Sequence, residues 1–335
     1  MDTETISGLE AGVVDWLRQE REVRSSLGML DEPDETAAPM PFDQQRRAAV
    51  LLGDRLARRT ALPVDPAVQI TEIPLPTAGG ESFGRVYEPP NAGAVVPTQL
   101  FLHGGGFAFG SARELVNDAL LSARAAATGI RIVSYEYELA PEHPYPAARD
   151  GSVLAFQYLH GHAADLGIDA GRLGIGGVSA GGSLAASAAL VLARAQAAGR
   201  GGPAPWHVAL EVPALSADLL GALPADAHPI LAVQQAENAG LVTVYLPQPD
   251  ELAFVAEAAS LVGFPPTLMV LAEFDLVTAS ATGFAERLRA QGTAVHTEVR
   301  RGQIHGSPGA TAVSAGARAW QQSVAEQLRA AYRTS

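Results

Sequence analysis

The run Gly177-Val178-Ser179-Ala180-Gly181 constrains this chain more than any other feature. It sets one serine between small residues, where a stretch of strand character, Arg172 to Val178, meets one of helical character, Ala180 to Ala193. A serine on such a turn sits in a strained backbone conformation with its hydroxyl above a sheet. Glycines flank it because a Cβ there would strike the neighbouring chain. The helix that follows aims unpaired N–H groups and a positive dipole end at the serine. Five residues of this kind also describe an ordinary glycine-rich turn, so the partners decide between the two.

Three partners follow the order that a serine nucleophile needs. His103-Gly104-Gly105-Gly106-Phe107 comes after the apolar Leu100 to Leu102, and a glycine run there can present N–H groups to a developing oxyanion. Thr267 to Ala272 reads as a buried strand and ends at Glu273-Phe274-Asp275. Ala294 to Val299 reads as another strand and leads to His305-Gly306. Serine, acid, histidine is the chain order of an α/β-hydrolase triad. Glu273 and Asp275 compete as the acid. Asp275 lies further beyond the strand end, where a loop can turn it toward His305.

With these residues in view the chain resembles the hormone-sensitive-lipase family of bacterial esterases. The likeness rests on His103 to Phe107, Leu139-Ala140-Pro141-Glu142-His143-Pro144-Tyr145-Pro146-Ala147, Gly176 to Gly182, Phe264-Pro265-Pro266 and His305-Gly306. It spans about residues 68 to 330. The resemblance implies Ser179 as nucleophile, Asp275 as orienting acid and His305 as base. It implies the N–H groups of Gly105, Gly106 and Ala180 as oxyanion donors, with Gly104 beside them. The implied substrate is a small carboxylic ester with a short acyl chain or from a small metabolite, cleaved through an acyl-enzyme without cofactor or metal. Four positions depart from the family. Val178 stands where aspartate is usual, Glu138 where arginine is usual, Ser307 where an aromatic is usual, and Leu276 to Ser280 lack three charged residues. If residues 138 and 178 normally pair, their joint change predicts that they lie together beneath the serine turn, with Glu138 taking a new donor such as Arg149 or a backbone N–H. The same departures keep open a repurposed site (acyltransferase, lyase or cyclase) and a non-catalytic binding protein.

Composition narrows the remaining classes. The net charge of −13 argues against nucleic acid and anionic membranes. No lysine and no cysteine occur, which excludes lysine Schiff-base chemistry, thiolate catalysis, disulfides and cysteine metal sites. The start Met1-Asp2-Thr3-Glu4-Thr5 has no basic and apolar leader pattern, so a cytoplasmic location is the expectation. Leu173 to Ala193 is uncharged over the length of a membrane span, but its five glycines and strand-and-turn start favour a central strand and buried helix. His103 reads as a loop-fixing residue. His160 and His162, two apart, do not share a helix face.

Eight strands are expected: Val68 to Ile73, Gly84 to Glu88, Gln99 to His103, Ile130 to Tyr135, Arg172 to Val178, His207 to Val212, Thr267 to Ala272 and Ala294 to Val299. Helices lie between most of them, such as Arg113 to Ala127, Gly151 to His160 and Ala281 to Ala290. The alternation predicts an α/β fold with a mostly parallel eight-stranded sheet, helices on both faces and a helical lid. Ile6, Leu9, Val13 and Leu17 recur at helical spacing, and a second helix is expected after Asp43 as N-cap. Residues 1–66 are thus expected as an N-terminal lid segment and residues 67–335 as the catalytic domain. A second lid segment is expected at about 215–255, where prolines break the pattern. A homodimer is one expectation for the assembly.

Overall fold

The computed structural model describes residues 7–29, 40–200, 202–217, 223, 226–238 and 240–333. Two helices come first, α1 (Ala11–Ser26) and α2 (Phe42–Thr60). Then follow β1 (Gln69–Pro76), β2 (Glu81–Glu88), β3 (Val96–Leu102), α3 (Leu115–Thr128), β4 (Arg131–Tyr135), α4 (Ala147–Gly161), α5 (Ala163–Leu166), β5 (Ile168–Val178) and α6 (Ala180–Ala197). The chain continues through β6 (Val208–Glu211), α7 (Pro229–Glu237), α8 (Leu241–Tyr245), β7 (Thr267–Phe274), α9 (Thr278–Ala290), β8 (Val295–Ile304) and α10 (Ala315–Tyr332). All eight expected strands are present. Ile6 lies outside the described residues. Asp43 falls in the first turn of α2 and Pro41 takes the cap position, a shift of two residues from the expected start.

The strands form one sheet in the order β1-β2-β4-β3-β5-β6-β7-β8. Only β2 runs antiparallel to its neighbours; from β4 to β8 every pairing is parallel. Parallel strands need a covering helix layer on each face, so their sequences are apolar without alternation. Leu268 to Ala272 are all fully buried for this reason. Helices α4, α6 and α9 share the larger core with one face, while α3 and α10 pack on the other. The uncharged stretch Leu173 to Ala193 is the end of β5 and most of α6, which is buried on nearly all sides. No helix among the described residues is long and apolar enough to cross a membrane.

Every catalytic candidate follows the C-terminal end of a parallel strand. The glycine run follows β3, Ser179 follows β5, Asp275 follows β7 and His305 follows β8. This is the edge where open α/β sheets place their ligands, because the βα turns there are free to vary. Above it, Val13 of α1, Ile230 of α7 and Ile304 at the end of β8 form a small buried cluster, with Trp16, Leu17, Leu231 and Phe274 around it.

Candidate active site

Ser179 has φ 56° and ψ −123°, between the last residue of β5 and the first of α6. A non-glycine residue there costs about 1–3 kcal/mol and persists only where its surroundings over-determine it. They do so here. A Cβ on Gly177 would come within 2.4 Å of the Gly181 carbonyl oxygen, and one on Gly181 within 2.1 Å of the Leu102 oxygen. The Ser179 N–H donates to the Glu211 oxygen at 2.9 Å, and its carbonyl accepts from Ser183 N at 3.0 Å. The serine is thereby locked between β6 and the first turn of α6.

Chain segments 126 residues apart meet at its hydroxyl. His305 Nε2 lies 2.7 Å from Ser179 Oγ, and His305 Nδ1 lies 2.8 Å from Asp275 Oδ2. The carboxylate only accepts, so Nδ1 carries the proton and Nε2 is left to accept from the serine hydroxyl. The Asp275 side chain is 1% exposed and that of His305 27%. The other oxygen, Oδ1, accepts from Val277 N at 3.2 Å. Glu273, the competing acid, instead accepts from Gly302 N at 2.7 Å.

Gly105 and Gly106 sit at φ +128° and +60°. A Cβ on Gly105 would lie 2.1 Å from the Phe109 oxygen, and one on Gly106 2.4 Å from the Leu241 side chain. Among the described residues no protein group accepts from the N–H groups of Gly105, Gly106 or Ala180. His103 lies beneath this loop, fully buried, donating through Nδ1 to the Gly104 oxygen at 2.8 Å and stacked on Tyr137 at 4.2 Å. Burial holds its pKa below the ordinary imidazole value, so it is a neutral strut.

Two cavities share Gly106, Ser179 and His305. One is a small pocket of about 30 Å³, walled by Phe107, Ala180, Ala214, Leu241, Val242, Leu276 and Val277. The other is an open cleft of about 600 Å³, lined by Trp16, Leu17, Phe109, Ile230, Val233 and Ile304, with Glu20, Arg21 and Arg24 at its border. Apolar walls with a few convergent polar groups suit a small organic ligand.

The departures resolve individually. Glu138 does not turn to residue 178; its carboxylate accepts from the Ala78 and Gly79 N–H groups, at 3.1 and 3.2 Å. Val178 packs instead with the apolar clusters under α3 and α10. The expected backbone donor is present, but the expected proximity of 138 and 178 is not. A buried carboxylate still lies beside residue 178, because Glu211 is its partner across β5 and β6. Arg124 of α3 pairs with Glu211 at 2.8 Å. Neither residue stood out in the sequence, where only an acidic side chain inside the apolar run from Val208 to Val212 marked the site. Ser307 is fully buried and joins Gln303 to the Ile304 backbone. Gln303 in turn donates to Glu10. An aromatic ring still reaches this loop, for Trp16 of α1 lies against Gly306.

Comparison with known proteins agrees with the architecture. A family profile described as alpha/beta hydrolase fold matches residues 99–308. The carboxylic ester hydrolase LipN of Mycobacterium tuberculosis is 33% identical over 78% of this chain and 70% of its own length. Esterase LipI of the same organism is 32% identical over 74% of this chain and 77% of its own. Among solved structures, a bacterial heroin esterase superposes with a TM-score of 0.78 at 27% identity, covering 98% of this chain and 100% of that one. The chain therefore belongs to the α/β-hydrolase family, in its hormone-sensitive-lipase-like branch.

Proposed function

We propose that this protein, a carboxylic ester hydrolase by kinship, cleaves small esters with a short acyl chain through Ser179, His305 and Asp275. The observation that carries the reading is the hydrogen-bonded chain from Asp275 through His305 to Ser179 Oγ, at the meeting point of the two cavities. His305 takes the serine proton as Oγ attacks the ester carbonyl. Asp275 holds the tautomer and stabilises the imidazolium. The N–H groups of Gly105, Gly106 and Ala180 receive the oxyanion, each worth about 3–4 kcal/mol in comparable sites. His305 then protonates the departing alcohol, and water attacks the acyl-enzyme by the reverse sequence.

The small pocket suits the acyl group and the open cleft the alcohol. Its walls, Phe107, Ala214, Leu241, Val242 and Val277, close round Ser179 and leave room for a short acyl chain sooner than a long one. Of the two expected lid segments, helix α1 and helices α7 and α8 act as a cap over the cleft. Their residues Trp16, Ile230, Val233 and Leu241 supporting that role all line it. The test is a series of p-nitrophenyl esters from acetate to octanoate, with Ser179→Ala beside the wild type. Activity should be highest at two to four carbons, and S179A should lose it. Equal turnover of octanoate would remove the acyl assignment, and an active S179A the mechanism.

A further inference from the structure

Helix α7 reaches past the cleft wall to the loop that carries the acid. Gln234 lies on its inner side, 7% exposed. Its Nε2 donates to the Phe274 carbonyl at 2.9 Å, and its Oε1 accepts from the Leu276 N–H at 3.2 Å. These are the peptide groups on either side of Asp275. A carbonyl only accepts and an N–H only donates, so a single orientation of the amide satisfies both. Both bonds are directional, unlike the apolar contacts that α7 makes elsewhere, which tolerate sliding. Helix α7 is itself held at its N-terminus, where His228 Nδ1 accepts from Ile230 N at 3.2 Å and Nε2 lies 2.6 Å from the Ser7 oxygen.

We infer that Gln234 is a positioning residue. Its amide clamps the two peptides that flank Asp275 and so fixes the carboxylate against His305 Nδ1. It acts through Asp275, resting on the proposed role of that residue. The seating of α7 and the competence of the acid are then one event, so the cap serves catalysis as well as selectivity. A displacement of about 1 Å at such a group is enough to cost up to a hundredfold in rate.

The test uses the full chain and p-nitrophenyl acetate. Gln234→Met keeps the length of the side chain and removes both bonds. It should lower kcat about tenfold to a hundredfold, beyond any change in KM from the cavity walls that Gln234 also lines. The acid limb of kcat/KM should move to lower pH, because a misplaced carboxylate stabilises the imidazolium less. In a Asp275→Asn background the same substitution should cost nothing further, since its effect runs through the acid. Should Q234M lose its cooperative melt, Gln234→Leu, which also removes both bonds and adds no charge beside Asp275, takes the same cycle. A full additive loss in the D275N background, or a change confined to KM, would overturn the inference. An inactive S179A beside an unaffected Q234M would sink this inference alone, whereas an active S179A would sink the triad reading beneath it.

Discussion

The Arg124 guanidinium meets the Glu211 carboxylate at 2.8 Å with side chains only 3% and 5% exposed, one strand away from Val178. Trp320 Nε1 donates to the other carboxylate oxygen at 2.9 Å, and the Glu211 backbone oxygen receives the Ser179 N–H. One residue therefore neutralises a buried cation and anchors the serine turn. Removing one partner of such a pair leaves the other charged and unsolvated, which typically costs about 3–5 kcal/mol. Glu211→Gln should lose stability of that order in urea unfolding. The double variant Arg124→Met with Glu211→Gln, which removes the buried cation and keeps an acceptor for Trp320 Nε1, should recover most of it. Equal destabilisation by single and double variants would contradict this account.

A half-buried carboxyl and a buried imidazole give stability opposite slopes with pH. Burial, with the Asp54 and Glu136 carboxylates adding to it, pushes Glu114 from 4.5 up to about 7. The folded chain then keeps a proton that the unfolded chain has lost, so stability falls as pH rises through that window. Burial pulls His207 from 6.5 down to about 4. The folded chain refuses a proton that the unfolded chain takes, so stability falls as pH drops from 6.5 toward 4. The two slopes oppose each other between 4.5 and 6.5. Glu114→Gln should gain about 1–3 kcal/mol over wild type on going from pH 5 to pH 8. Urea unfolding at both values reads the difference, and no change in it would contradict the burial of Glu114 as its cause.

Val242 is one wall of the small pocket. Val242→Ala opens room there for about one more methylene, a group worth ~0.8 kcal/mol when buried. The kcat/KM ratio of p-nitrophenyl hexanoate to acetate should rise about fourfold. An unchanged ratio would assign the acyl group to the other cavity.

Much of this arrangement is legible from local sequence. Apolar runs bounded by turn residues mark the central strands β3 to β7, because a parallel strand buried on both faces has few other ways to be written. Ser179, Asp275 and His305 are each recognisable from the strand that precedes them. What sequence does not reveal depends on neighbours across the sheet or from the cap. Glu211 meets residue 178 only because β6 is placed beside β5. Gln234 meets the Asp275 loop only because α7 folds back over β7. The expected closeness of Glu138 to residue 178 fails for the same reason: its carboxylate takes its backbone donors from the β1–β2 turn, which is distant in sequence. Helix α10 also carries a local signature, with Ser314 as N-cap and Ala317, Trp320, Val324 and Leu328 buried along one face.

The central claim is that Ser179 is the residue that bonds to the substrate's acyl carbon. A phosphotriester with a p-nitrophenyl leaving group reports this directly, since it phosphorylates an activated serine and stops there. Wild-type protein should release one equivalent of p-nitrophenol, lose esterase activity in step, and carry the phosphoryl mass on the peptide containing Ser179. S179A should release none. A stoichiometric adduct on any other residue, or full activity after phosphorylation of Ser179, would contradict the account.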